Sequence, residues 1–148
     1  SSPVRVYAAG GNIHHPENDI VDVAAITITF ADGNVATVSV GDVGVPPHSS
    51  KFALQQSDGE RSVSLFNRLN SLMTRENKEV TEHPAWPEEG AGVIDTAFIK
   101  ALVEGAASPV SVRSARRTSA VVLAAIESIK TGQVVDLTAA PYADAMKG

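Results

Sequence analysis

Cysteine is absent from the 148 residues of this chain, which excludes a disulfide framework, a thiolate metal site and a cysteine nucleophile. Aromatic residues make up only 5% of the chain, although 43% of it is hydrophobic. We therefore expect a core built mainly of small and β-branched side chains. The few bulky anchors available to that core are Phe30, Phe52, Phe66, Trp86 and Phe98.

The sequence also lacks a strongly basic run and a long apolar run. Its formal net charge is −5, and its densest basic stretch is the short segment from Arg113 to Arg117. Nucleic acids and anionic membrane surfaces are therefore not expected as partners. No apolar stretch approaches the length that spans a membrane. We expect a cytoplasmic protein, and because the chain begins with Ser1 rather than Met, we expect further polypeptide to precede it.

The motifs of a self-sufficient enzyme are missing as well. No glycines follow a strand in the G-x-G-x-x-G spacing that cradles a dinucleotide. The sequence contains neither a G-x-S-x-G nucleophile elbow nor an H-E-x-x-H zinc motif. We therefore expect no catalytic and no cofactor-binding residue within this chain.

The first half of the sequence predicts strands. The segment PVRVYAAG, residues 3–10, is rich in β-forming residues, and Asp32-Gly33 predicts a hairpin with a two-residue turn. Counting outward from that turn sets Phe30 opposite Val35, and both faces of the hairpin are then half apolar. A strand pair without a polar face needs cover on both sides. This pattern predicts that helices of the chain cover one face and that a second domain or a partner subunit covers the other.

A second hairpin is predicted around Asp58-Gly59, with Leu54 opposite Val63. The segment between Lys78 and Gly92 offers one further short strand and a proline-rich loop.

The final third of the sequence predicts two helices. An apolar stripe from Ile94 to Leu102 has helical spacing and stops at Gly105. Ser114 is the predicted N-cap of a second helix, which ends at Gly132 and is followed by an apolar edge strand. The predicted apolar face of this helix carries Val121, Val122, Ala125, Ile126 and Ile129. Strands followed by helices indicate an α+β fold. We expect one domain spanning residues 1–148, with an open, mainly antiparallel sheet and helices packed on one of its faces.

Two residues are candidates for ligand contacts. His48 follows two prolines in the loop that joins the hairpins, and such loops often contact ligands; ordinary loop packing is the alternative. Trp86 could stack on a sugar ring, and covering the core is the alternative. His14 and His15 lie near acidic residues, but adjacent residues project in different directions and lack the spacing of a zinc pair, so no metal site is expected.

The segment FIKALVEGAASPVSVRSARRTSAVVLAAIESIKTGQVVDL, residues 98–137, resembles the C-terminal end of the Gfo/Idh/MocA family. These are NAD(P)-dependent oxidoreductases related to glucose–fructose oxidoreductase and inositol 2-dehydrogenase. The first-half segments VRVYAAGGN, DVAAITITFADGNVATV and FALQQSDGERSVSLFN are similar to the sheet of that family. The residues of the C-terminal signature are Phe98, Ala101, Gly105, Pro109, Val110, Ala124, Ser128, Gly132 and Val135.

The resemblance implies that the chain is most of the substrate-binding and oligomerisation domain of an oxidoreductase that acts on a sugar, inositol or similar polyol. In the family, a Rossmann domain that binds NAD or NADP precedes this segment, and the proton-transfer residue lies on a helix just before the first strand. Neither is present here, so the chain alone is expected to be inactive and to bind no cofactor.

The resemblance further implies a homo-oligomer, a dimer or tetramer, that assembles through the open face of the sheet. It also places His48 and Trp86 near the substrate pocket. The alternative that stays open at this point is a stand-alone, non-catalytic module for ligand binding or assembly.

Overall fold

A computed structural model describes residues 1–41, 54–57, 61–66, 71–76, 78–83 and 90–147. The fold is α+β, as the order of predicted strands and helices indicated. The elements in chain order are β1 (Pro3–Gly11), β2 (Val23–Phe30), β3 (Val35–Gly41), β4 (Leu54–Ser57), β5 (Arg61–Phe66), β6 (Ser71–Glu76), β7 (Glu79–His83), α1 (Gly90–Glu104), α2 (Val112–Thr131), β8 (Val135–Asp136) and α3 (Ala143–Met146).

The strands form two antiparallel sheets of four strands each, in the orders β3-β2-β1-β8 and β4-β5-β6-β7. The chain divides into two compact units. The first unit comprises Ser1–Val43 and Val110–Gly148, and the second comprises Gly44–Pro109. The first sheet, α2 and α3 belong to the first unit, whereas the second sheet and α1 belong to the second. The single domain over residues 1–148 stays a prediction.

The turn between β2 and β3 differs from the predicted two-residue turn. The backbone N–H of Phe30 donates to the carbonyl of Asn34 at 2.9 Å, and the N–H of Gly33 donates to the carbonyl of Phe30 at 3.0 Å. Gly33 has a φ of 85°, so it adds the left-handed third residue of a bulged loop. Thr29 therefore pairs with Val35, and the predicted register was wrong by one residue.

This shift redistributes the side chains of the hairpin. Because side chains alternate along a strand, a slip of one residue moves all those of β3 to the opposite face. The prediction of two half-apolar faces was therefore wrong: one face is apolar and the other is rich in hydroxyl groups. The apolar face carries Ala24, Ile26, Ile28, Ala36, Val38 and Val40. The hydroxyl-rich face carries Ala25, Thr27, Thr29, Val35, Thr37 and Ser39.

The second sheet confirms the second hairpin but not its pairing. Leu54 lies opposite Leu65 rather than Val63, so the predicted register was wrong by two residues; its turn lies outside the described residues. The chain continues through β6, which the sequence did not predict, to β7, which it did.

Helix α2 begins earlier than predicted. Ser111, not Ser114, is the N-cap, because the Ser111 hydroxyl accepts a hydrogen bond from the N–H of Ser114 at 3.1 Å. The predicted end is confirmed: Gly132 adopts a φ of 69°, and its N–H donates to the carbonyl of Ser128. Gly105 likewise follows the end of α1 with a φ of 66°, as predicted.

The core of the first unit lies between α2 and the strands β1 and β8. Within the described residues, its buried members are valine, alanine and leucine side chains, which agrees with the expected core of small and β-branched residues. Phe98, expected as a bulky anchor of the core, is 46% exposed, so that part of the expectation was wrong. Helix α2 buries a stripe of small residues, whereas Val122, which the sequence placed on the buried face, is 53% exposed. Small side chains let the helix approach the sheet closely. The core residues are Val6, Ala8, Ala124, Ala125, Val135 and Leu137.

Candidate functional site

The two predicted substrate contacts, His48 and Trp86, lie outside the described residues. Their roles therefore stay predictions. The described side-chain contacts that bear on function belong to the first unit. Its features are the histidine-containing loop, the end of α2, the C-terminal segment and a groove between α2 and the sheet.

The loop that joins β1 to β2 is organised by Asp22, whose side chain is only 2% exposed. Its carboxylate accepts hydrogen bonds from the backbone N–H groups of Ile13 (2.8 Å), His14 (2.6 Å) and His15 (2.9 Å). Burial alone would raise the pKa of Asp22, but these three donors stabilise the charged carboxylate and its pKa lies below the ordinary value. Asp22 therefore anchors the loop through backbone contacts.

The histidine side chains do not converge on a metal site in the part of the chain that the structure describes. There, no group of three or more histidine, aspartate or glutamate side chains is placed to hold a metal ion. Nδ1 of His15 lies 3.4 Å from a Glu17 carboxylate oxygen on the surface. Across the described ranges, none of the helices has the length and apolar character needed to cross a membrane.

The C-terminal sequence signature has a structural explanation in Ser128, which is completely buried. Its hydroxyl accepts a hydrogen bond from the N–H of Ala8 at 2.9 Å and donates to the carbonyl of Gln133 at 2.6 Å. Strand β8 is short and pairs only with Arg5 and Val6 of β1, so it offers no carbonyl to the N–H of Ala8. The Ser128 hydroxyl accepts the hydrogen bond from that N–H instead. The serine thus joins α2, β1 and the turn into β8.

The C-terminal segment is held against α2 by two side chains. The Tyr142 hydroxyl donates to a carboxylate oxygen of Glu127 at 2.7 Å, and this hydrogen bond raises the pKa of Tyr142. Arg117 donates from its guanidinium to the carbonyl of Met146 at 3.4 Å. These contacts position the end of the chain against α2.

A groove of about 1070 Å³ runs between α2 and the outer strands of the first sheet. Its sheet side includes Ile26, Val38 and Val40, and its helix side includes Val121 and Ile129. All of its lining residues belong to the first unit. Sequence reasoning missed this groove because the predicted register placed Val38 and Val40 on the other face of the sheet.

Comparisons with protein-family models and with curated protein sequences find no match, whereas solved structures do match. An oxidoreductase from Agrobacterium radiobacter in complex with NAD+, L-tartaric acid and magnesium shares the fold with a TM-score of 0.77 and 19% identity, over 92% of this chain and 44% of that one. A UDP-N-acetylglucosamine 3-dehydrogenase from Acidithiobacillus ferrooxidans matches with a TM-score of 0.75 and 18% identity, over 88% of this chain and 41% of that one.

A levoglucosan dehydrogenase in complex with NADH matches with a TM-score of 0.74 and 18% identity, over 91% of this chain and 45% of that one. The chain thus spans less than half the length of each of these proteins. At these identities the likeness is one of fold. The chain shares its fold with part of these oxidoreductases, in agreement with the resemblance seen in its sequence.

Proposed function

We propose that the chain is the C-terminal, substrate-binding and oligomerisation part of an NAD(P)-dependent oxidoreductase that acts on a sugar, inositol or similar polyol. The observation that carries this proposal is the shared fold over 92% of the chain with an oxidoreductase solved with NAD+. The substrate class is supported by neighbours that are a UDP-N-acetylglucosamine 3-dehydrogenase and a levoglucosan dehydrogenase.

The chain's own contribution would be to shape the pocket. The sequence carries no glycine-rich phosphate loop, so NAD or NADP does not fit any motif present here and would be held by residues of a longer polypeptide. The cofactor, when bound there, supplies the hydride acceptor. Trp86 would pack its ring against the C–H face of the sugar, and His48 would hydrogen-bond a substrate hydroxyl.

The oligomer contact of the protein and its location in the cell are part of the same proposal. The hydroxyl-rich face of the first sheet would form the contact of a homodimer or homotetramer. Two observations support this choice of face. Helix α2 packs on the apolar face of the sheet, whereas Tyr7, on the opposite side of β1, is 44% exposed and available for a contact. A cytoplasmic location would match the use of NAD or NADP.

The direct test is a turnover assay on the native-length polypeptide and on the present chain, with a panel of polyols and either NAD+ or NADP+. We expect reduction of the cofactor by the native-length protein and none by the present chain. Substituting His48→Ala or Trp86→Ala should raise KM by about 10-fold, because each removes a contact to the substrate. His14→Ala, in a loop anchored by backbone contacts, is the matched control and should leave KM unchanged.

Turnover by the present chain alone would contradict the proposed division of labour. Unchanged KM in both pocket variants would remove His48 and Trp86 from the substrate site.

A further inference from the structure

A second cavity, the C-terminal cavity, lies between α2 and the segment around α3. Its volume is about 590 Å³, within the range of roughly 300–1,000 Å³ that small-molecule sites occupy. Its apolar lining residues are Ala120, Leu123, Ile126, Pro141 and Ala145. The cavity shares Leu123 and Ile126 with the groove, but its outer wall is the C-terminal segment rather than the sheet.

The wall that the C-terminal segment contributes is fixed to α2 at two points. The Tyr142 hydroxyl donates to a carboxylate oxygen of Glu127 at 2.7 Å, and the Arg117 guanidinium donates to the carbonyl of Met146 at 3.4 Å. Between these points the N–H of Ala145 donates to the carbonyl of Tyr142, so the segment has a fixed backbone shape. The cavity is therefore formed before a ligand binds, which lowers the conformational cost of binding.

The charged lining residues of the C-terminal cavity favour a ligand with one negative charge. Two cations, Arg116 and Lys130, line it, and neither forms an ion pair with the described residues. Glu127 also lines the cavity. Its carboxylate would repel a second negative charge on the ligand. A monoanion therefore fits this lining better than a dianion.

Arg116 is the better anion site of the two cations. A guanidinium group can hold a carboxylate through two parallel hydrogen bonds, and Ser119, one turn further along α2, also lines the cavity. Lys130 lies in the last turn of α2, where the helix dipole disfavours an anion. The hydrogen bond and the charge of Lys147 hold the pKa of Asp144 below its ordinary value, and the charge of Arg116 adds to this effect. Asp144 is thus already paired with Lys147, at 2.7 Å, and Arg116 remains open to a second anion.

We infer that the C-terminal cavity binds an alkyl carboxylate of the fatty-acid class, with its carboxylate on Arg116 and its chain along Leu123 and Ile126. The Ser119 hydroxyl donates to the same carboxylate. Because Arg116 and Ile126 are about 15 Å apart along the helix axis, the apolar part of the ligand has to be elongated. Leu123 is 56% exposed, and its burial against the chain favours binding. This site goes beyond the proposed function and does not depend on it.

Titration calorimetry with decanoate, below the concentration at which it forms micelles, tests the site in the native-length protein. We expect one decanoate to bind per chain. Arg116→Gln should weaken the affinity by about 10-fold or more, because it removes a hydrogen bond between two charged groups. Arg113→Gln is the matched control, since Arg113 is an exposed arginine of the same helix that does not line the cavity. It should leave the affinity unchanged.

Two further measurements separate this site from unspecific adsorption. Decanol keeps the chain but lacks the charge, so we expect it to bind at least about 10-fold more weakly than decanoate. Leu123→Ser removes part of the apolar floor and should also weaken decanoate binding; it tests the site independently if Arg116→Gln does not fold.

The proposal would be overturned by an absence of decanoate binding, by equal affinities of decanoate and decanol, or by several decanoates per chain. Equal affinities of the unsubstituted protein and of Arg116→Gln would overturn it as well. A larger loss of affinity in Lys130→Gln than in Arg116→Gln would reject the placement of the carboxylate on Arg116.

Discussion

The hydroxyl group of Ser128 joins three parts of the first unit. It accepts from the N–H of Ala8 at a point that β8 does not reach, and it donates to the carbonyl of Gln133. A buried donor that loses its acceptor keeps its full desolvation cost. The serine of the C-terminal signature is therefore explained by backbone hydrogen bonding and needs no catalytic role.

We expect Ser128→Ala to lower the free energy of unfolding by about 1–3 kcal/mol, because it leaves the Ala8 N–H and the Gln133 carbonyl without a partner. Ser119→Ala is the matched control, since Ser119 lies on the same helix and is exposed. Both substitutions gain the same helix propensity, so the difference between them isolates the buried hydrogen bonds. Urea unfolding followed by circular dichroism measures it, and equal stability of the two variants would contradict this role.

Predictions for single residues succeeded where only one residue type suits the backbone conformation. Gly132 was predicted correctly as the end of α2, because few residues other than glycine adopt a positive φ. The N-cap was placed at Ser114 instead of Ser111, since both serines suit the position and only the backbone geometry distinguishes them. The site residues His48 and Trp86 were suggested by loop position and by resemblance, and no pattern of spacing tests them.

At the scale of elements, the most consequential difference between the predicted and the observed structure is the register of the β2–β3 hairpin. The existence of this hairpin follows from the turn residues, but its register depends on whether Gly33 closes a two-residue or a three-residue loop. The two loops differ by a small local energy that the sequence pattern does not reveal. One residue of slip decides whether Val38 faces α2 or the opposite side, and this decided where a partner was expected.

The buried face of α2 also differs from the predicted one. Hydrophobic periodicity favours large residues such as Val122, whereas the helix packs through Ala120, Ala124 and Ser128. Where a helix packs closely on a sheet, small side chains occupy the contact between them. Alanine and serine have lower hydropathy than valine, so a search for apolar periodicity does not select them. The existence and the end of the helix were nevertheless predicted correctly.

The proposed oligomer contact is tested on the hydroxyl-rich face of the same hairpin. Thr37 pairs with Thr27 in the middle of that face and is exposed. We expect Thr37→Lys to reduce the mass in solution to that of a single chain, because an ammonium group would be buried in the interface without a partner. Thr37→Ser is the matched control. Light scattering after gel filtration reports the mass; no change in Thr37→Lys would exclude this face as the interface.

At the scale of the whole molecule, the sequence predicted the fold class better than the detailed pairing of the strands. The order of strands, hairpins and helices was sufficient for an α+β fold, and the C-terminal signature agrees with the shared fold of the oxidoreductases. The division of the strands between two sheets was not predicted.

The central claim is that this chain is part of a longer oxidoreductase, and the intact mass of the protein purified from its source cells tests it most directly. Because the chain spans 44% of a matching oxidoreductase, we expect a polypeptide more than twice as heavy as the 15.4 kDa of this chain. A native mass equal to 15.4 kDa would contradict the claim and favour a stand-alone binding or assembly module.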